Sequence, residues 1–259
     1  MNFYRKLRPS IAGVFAAFVL ISVFSEAEAE PLTVAIAANM KYVFDDISKE
    51  FKNETGIEIQ SVLNASGKIS TQIRNGAPFD LFMSADMEFP ENLYKDGFAL
   101  NPPKVYVYGL LVLWTEKNVD LSKGVAGLAD ASVIKVAIAN PKVAPYGREA
   151  LKSLDYFKVR EAVEPKLVFG ESITQVSQYV DTKDADVGFS AKSIVMAPEL
   201  AGKGKWVDVP TESYEPIAQG IVILKHGSEF NSESARKFYD FIFSEKAREI
   251  FSRYGYKLP

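Results

Sequence analysis

Leu32-Thr33-Val34-Ala35-Ile36 runs into Ala37-Ala38-Asn39-Met40, and Ile57-Glu58-Ile59-Gln60-Ser61-Val62-Leu63 runs into Asn64-Ala65-Ser66-Gly67-Lys68. Each reads as an apolar strand, rich in β-branched residues, closing on a small-residue turn that opens an amphipathic helix. After the first turn Val43, Phe44, Ile47 and Phe51 share one helical face while Asp46, Lys49 and Glu50 lie elsewhere, and Gly56 stops the helix. A second helix is predicted over 68–75, ending at Gly76. Leu81-Phe82-Met83-Ser84 is predicted as a short buried strand, followed by a helix over 86–94 before Gly97. This β-α-β-α-β order predicts a mostly parallel sheet with ligand sites at the carboxyl ends of its strands.

Both turns place a short polar side chain, Asn39 or Ser66, where a helix begins. A helix N-terminus has unpaired N–H groups and a partial positive charge, so such a residue either caps the helix or helps to hold an oxyanion. Capping alone accounts for each residue taken singly, and both readings stay open on these turns.

The remaining chain repeats the alternation. The stretch 105–114 is long, apolar and extended, and the polar segment 115–124 after it is a candidate lobe boundary. Strands are then predicted at 136–139, 167–169 and 187–190, with helices after Pro145 and over 173–180, and further strands at 206–209 and 217–224. The last helix, 232–243 continuing over 245–251, carries Ala235, Phe238, Tyr239, Ile242 and Phe243 on one apolar face and is expected to pack back on the first lobe. The prediction is two α/β lobes.

The N-terminus sets a compartment. Arg5, Lys6 and Arg8 precede an uncharged run over 11–24, and Ala27-Glu28-Ala29 is a small-x-small cleavage site, so residues 1–29 read as a secretory signal peptide. The run is short for a membrane span. Cleavage after Ala29 leaves 27 basic and 31 acidic residues, net charge −4. No cysteine occurs, which excludes disulfides, thiol nucleophiles and a lipid-bearing cysteine, and points to a protein free in a periplasm. The single histidine, His226, has no histidine or cysteine partner for metal or nucleophilic chemistry and reads as a surface residue at a strand end. Basic residues are dispersed, so no nucleic-acid footprint is present.

Ala37-Ala38-Asn39-Met40, Glu54-Thr55-Gly56-Ile57, Ala65-Ser66-Gly67-Lys68 and Asn75-Gly76-Ala77-Pro78-Phe79-Asp80-Leu81-Phe82-Met83-Ser84-Ala85-Asp86 form an ordered set. Ile138-Ala139-Asn140-Pro141, Ala144-Pro145-Tyr146-Gly147 and Phe169-Gly170-Glu171-Ser172-Ile173 extend it. In this order and spacing the mature chain resembles the periplasmic molybdate-binding proteins that serve ABC importers. The resemblance implies a class II, two-lobe periplasmic-binding-protein fold, with lobe 1 at 30–111 plus 222–259 and lobe 2 at 112–221. It implies molybdate or tungstate held through its oxygens between the lobes, with no direct protein ligand to the metal and no cofactor. The positions it implicates are Asn39 and Ser66 from the first lobe and the main-chain N–H groups of Tyr146 and Ile173 from the second. A monomer and an inner-membrane ABC permease as partner are the family expectations.

One position departs from the resemblance. A tyrosine that many members place just after the strand 187–190 is replaced here by Ala191 and Lys192, leaving Ser190 or a water as the substitute. A related tungstate-binding group coordinates the metal directly through carboxylates; the sequence assigns no such pair here and leaves Asp86 and Glu171 open. The alternatives are a binder of another oxyanion such as sulfate, a binder of sugars or amino acids, and an enzyme on the same fold using Asp80, Asp86 or Glu171. Against the enzyme stands the lack of a close carboxylate pair or an activated nucleophile. Asp80 reads as a turn residue and Asp86 as an N-cap. Trp114 and Trp206 read as core or lobe-edge residues, and Arg74, Arg148 and Arg160 as a solvated face.

Overall fold

The computed structural model describes Met1 and residues 31–259, so the expected signal peptide lies outside the described residues. From residue 31 onward the chain forms one compact unit. It opens with β1 (Leu32–Ala37), a 3-10 turn (Ala38–Met40) and α1 (Val43–Thr55), then β2 (Ile59–Asn64), α2 (Ser66–Arg74), β3 (Leu81–Met83), α3 (Glu88–Lys95) and β4 (Lys104–Gly109). The second group is β5 (Leu111–Thr115), β6 (Val136–Ala139), α4 (Pro145–Tyr156), α5 (Arg160–Val163), β7 (Leu167–Gly170), α6 (Ile173–Asp181), β8 (Val187–Ala191), α7 (Lys192–Val195) and β9 (Lys205–Asp208). The chain closes with β10 (Ile217–Ile223), α8 (Lys225–Phe230), α9 (Ser232–Ile242) and α10 (Glu245–Arg253).

Two five-stranded sheets result, ordered β2-β1-β3-β10-β4 and β7-β6-β8-β5-β9. The β-α-β units give the parallel pairs β1–β2, β1–β3, β6–β7 and β6–β8. The strands that return across the molecule, β10 and β5, pair antiparallel with both neighbours. Each sheet is therefore mixed, with its parallel half carrying the strand-to-helix turns.

The local reasons are those of the sequence. Val43, Phe44, Ile47 and Phe51 bury one face of α1, and Gly56 ends it at φ 74°, its N–H donating to Lys52 O at 2.8 Å. Val34, Ile36, Phe44, Phe51, Phe238, Ile242 and Phe251 share one core, so the C-terminal helices pack against the first sheet. Burying such an aromatic or branched side chain contributes roughly 1.5–3 kcal/mol.

Two boundaries differ from expectation. The apolar run 105–114 is two strands: β4 ends at Gly109 in the first sheet and β5 begins at Leu111 in the second. The chain thus changes sheets at Leu110, ahead of the polar segment 115–124. Hydropathy hides the break because strands on both sides of it are buried. The return also comes early: all of β10 lies in the first sheet, Ile217 opposite Gly109, so residues 217–221 leave the group 112–221 expected for the second lobe.

Candidate functional site

Four helix starts converge at the carboxyl ends of parallel strands: the turn Ala38–Met40 after β1, α2 after β2, α4 after β6 and α6 after β7. Their first N–H groups have no intrahelical acceptor, and the aligned peptide dipoles add positive potential. Between them lies a small cavity, about 10 Å³, bordered by Asn39, Ser66, Tyr146 and Ile173. Ala37, Ala38, Ala65, Ala85, Ala144 and Pro145 complete its wall. Small side chains there let the backbone itself form the surface. All four sequence-predicted residues are brought together.

Each is placed differently. Ser66 Oγ accepts the Ala85 N–H at 3.0 Å, which leaves the hydroxyl proton to donate. Pro145 occupies the first position of α4, and Gly147 N and Arg148 N turn back to Ala144 O, so the Tyr146 N–H is left without a helical partner. The Tyr146 ring is buried away from that role, its hydroxyl receiving Gln219 Nε2 at 3.2 Å. Ser172 caps α6 by accepting from Gln175 N at 3.3 Å, leaving the Ile173 N–H at the first helical position. Asn39 is 2% exposed; its Nδ2 donates to Gln219 Oε1 at 3.0 Å and to Tyr256 Oη at 2.8 Å, while Oδ1 is buried without a partner.

Three carbonyl oxygens near the cavity are already engaged. Ala38 O accepts from Thr174 Oγ1 at 3.1 Å, Asn39 O from Ser193 Oγ at 3.0 Å, and Val143 O from Gly67 N at 2.9 Å. These three bonds all run between residues of the two strand groups, so the same contacts that close the cleft remove acceptors from it. Burial pushes the hydroxyls of Tyr106, Tyr146 and Tyr256 well up from the usual tyrosine range, so all three stay protonated near neutral pH.

Charged groups stand at the rim, not in the cavity. Lys68 pairs with Glu171 across the cleft. Arg148 pairs with Asp86 and, at 3.2 Å, with Glu88, so it spans the two strand groups and is not the solvated residue expected from its helical setting. Burial pushes the Asp86 carboxyl up while the Arg148 guanidinium opposes the shift. Asp86 also accepts from Ser84 Oγ at 3.0 Å and from Phe89 N at 3.3 Å, the second of these supporting the start of α3. Neither Asp86 nor Glu171 borders the cavity.

Three further expectations resolve locally. Asp80 is fully buried and accepts from Thr33 N at 2.8 Å and Asn231 Nδ2 at 3.0 Å, which makes it an anchor between elements as well as a turn residue. His226 lies in α8, not at a strand end, and its Nδ1 sits 2.7 Å from Asp80 Oδ1. Ser190 meets Ser177 Oγ at 3.4 Å and does not border the cavity, so it does not stand in for the family tyrosine. Among the described residues no group of three or more His, Cys, Asp or Glu is placed to hold a metal ion.

A sequence profile of the family described as bacterial extracellular solute-binding protein matches residues 32–257. The chain belongs to that family. This solute-binding protein is 38% identical over 234 residues to the molybdate-binding protein ModA of Azotobacter vinelandii, covering 90% of this chain and 92% of the relative. It is 37% identical over 247 residues to ModA of Rhodobacter capsulatus, covering 95% of each. Its fold is similar to the solved periplasmic molybdate-binding protein of Azotobacter vinelandii, with TM-score 0.82 and 32% identity, covering 88% of this chain and 99% of that one.

Proposed function

We propose that this solute-binding protein binds molybdate, and tungstate with it, between two lobes in the periplasm and delivers it to an ABC-type permease in the inner membrane. The observation that carries the reading is the convergence of four helix starts and the Ser66 hydroxyl on one small space, with the Ala38 and Asn39 carbonyls beside it already engaged. Molybdate and tungstate are fully ionised dianions near neutral pH, whereas phosphate keeps a proton that needs an acceptor. A buried hydrogen bond to a charged group contributes about 1.5–3 kcal/mol, and several pre-oriented donors together offset dehydration of the dianion. No counter-cation, cofactor or catalytic group is invoked, and the oxyanion is held through its oxygens. The ModA relatives support the choice of anion. The chain is taken to act as a monomer, exported by cleavage after Ala29.

Lobe closure completes the mechanism. The anion binds helix starts of one lobe and, once the other lobe's Tyr146 and Ile173 N–H groups reach it, stabilises the closed state. Isothermal titration of ligand-stripped protein with molybdate, tungstate, sulfate and phosphate tests the reading. Tight one-to-one binding of the first two alone is the expected result; preference for sulfate, or no heat from any oxyanion, overturns it. Ser66→Ala removes one donor and is expected to weaken molybdate about 10- to 100-fold, and to lower the melting temperature of the ligand-free protein by a few degrees because the Ala85 N–H loses its acceptor. Unchanged affinity takes Ser66 out of the site.

A further inference from the structure

The unpartnered Asn39 Oδ1 sits at odds with a site built from donors. It is buried, it belongs to a side chain that borders the cavity, and it is the end of the amide that Gln219 and Tyr256 do not occupy. Facing an oxyanion, an amide oxygen repels; facing it, the NH2 end donates. What decides which end faces the cavity is the side chain that holds the other end.

Gln219 holds it. Fully buried in β10, its Oε1 receives both Asn39 Nδ2 at 3.0 Å and Tyr106 Oη at 3.1 Å, and its Nε2 donates to Tyr146 Oη at 3.2 Å. The two ends of a primary amide have nearly the same shape, so turning both Asn39 and Gln219 through 180° keeps every one of these distances and reverses the direction of donation. In the reversed sense Gln219 Nε2 donates to Asn39 Oδ1 and to Tyr106 Oη. Tyr106 donates onward to Ser84 O at 3.3 Å, Tyr256 donates to Asn39 Oδ1, and Tyr146 donates to Gln219 Oε1. Asn39 O keeps its bond from Ser193 Oγ. The orphaned oxygen then gains two donors, and the only group left without a protein partner among these side chains is the Asn39 NH2, which is free for the oxyanion.

We propose that Gln219 is a positioning residue that sets this network in the reversed sense in the loaded protein, so that the Asn39 amide donates to the oxyanion. The inference rests on the oxyanion reading above and deepens it. With Asn39 reversed, its amide meets the oxyanion with donors alone, and the orphaned acceptor that could have taken a ligand proton is gone. Gly109 belongs to the same arrangement: a Cβ there would lie 2.1 Å from Tyr146 Oη and 2.6 Å from Gln219 Nε2, so only glycine leaves room for the tyrosine–glutamine contact.

A double-mutant cycle with sodium molybdate as titrant tests the coupling. Gln219→Met alone is expected to weaken binding about 10-fold, because Asn39 loses the group that orients it, whereas in an Asn39→Ala background the same change is expected to cost less than about 2-fold. Equal losses in both backgrounds overturn the proposal, since Gln219 then acts independently of the Asn39 amide. The wild-type chain supplies a second readout that needs no variant to fold. With 15N-asparagine labelling, molybdate should shift the Asn39 side-chain NH2 resonances, with one proton moving strongly. An Asn39 side-chain signal that stays put while the backbone amides of Tyr146 and Ile173 shift overturns the proposal. Wild-type protein that binds no molybdate at all is a different failure, and removes the oxyanion reading itself.

Discussion

Asn39→Asp is expected to abolish measurable molybdate binding, whereas Asn39→Ala weakens it without abolishing it. Removing the amide deletes one donor to a charged ligand, about 1.5–3 kcal/mol, or roughly 10- to 150-fold in affinity. Replacing it with a carboxylate deletes the donor and adds a negative charge at the border of the cavity. No cationic side chain borders that cavity, since the nearest charged pairs, Arg148 with Asp86 and Lys68 with Glu171, are already matched at the rim. With effective dielectric near 20, a charge about 4 Å from each unit of a dianion's charge costs several kcal/mol, so at least about a further 10-fold is expected beyond the alanine variant. Titration calorimetry on both variants, alongside thermal unfolding of the ligand-free proteins, makes the comparison. Equal losses in the two would mean that a compensating charge reaches the site, against a pocket that binds its anion with neutral dipoles.

The fold was largely legible because its signals are local. β-branched runs, the apolar face of α1, Pro145 and the glycine stops each act within a few residues of where they sit, and the structure places those elements within a few residues of prediction. The candidate site residues were reached by position in those elements together with the resemblance, Asn39 and Ser66 at two helix starts and Tyr146 and Ile173 at two more. What escaped the sequence depends on contacts between distant parts of the chain. Gln219 in β10 and Tyr256 near the C-terminus reach Asn39 from 180 and 217 residues away, and neither lies in a motif. Gln219 left one trace: a long amide side chain inside an apolar strand run, which has to find partners when buried. Arg148 looked like a surface residue because its helix neighbours are polar; its partners Asp86 and Glu88 come from the other group of strands. The sheet change at Leu110 falls within two residues of the 111/112 boundary implied by the resemblance, but the polar segment 115–124 pointed past it, since hydropathy reports burial and not which sheet a strand joins.

The two halves approach within backbone distance at Gly67 and Val143, and Gly67→Val is expected to prevent closure of the cleft. Gly67 N donates to Val143 O at 2.9 Å, and a Cβ on Gly67 would lie 3.0 Å from Val143 Cα and 3.2 Å from Val143 Cβ. Phe89 Cζ, at 2.9 Å, belongs to a ring that can swing, but Val143 Cα is main chain and cannot yield without moving the segment that leads into α4. Valine adds two methyl groups beyond that Cβ, so the second lobe is held away from Ser66. The Tyr146 and Ile173 N–H groups then fall short of the oxyanion. Losing two hydrogen bonds to a charged group, at about 1.5–3 kcal/mol each, implies a loss of at least about 100-fold in molybdate affinity. Gly67 is helical and not at positive φ, so valine adds no left-handed backbone strain, and its helix propensity is no worse than glycine's. The ligand-free protein should therefore melt within a few degrees of wild type. Small-angle scattering separates the causes. Wild type should contract on adding molybdate while Gly67→Val keeps its ligand-free dimensions. A variant that contracts normally yet binds weakly would place the defect in the α2 start itself, and one that binds and contracts like wild type would show that the halves do not need this contact to close.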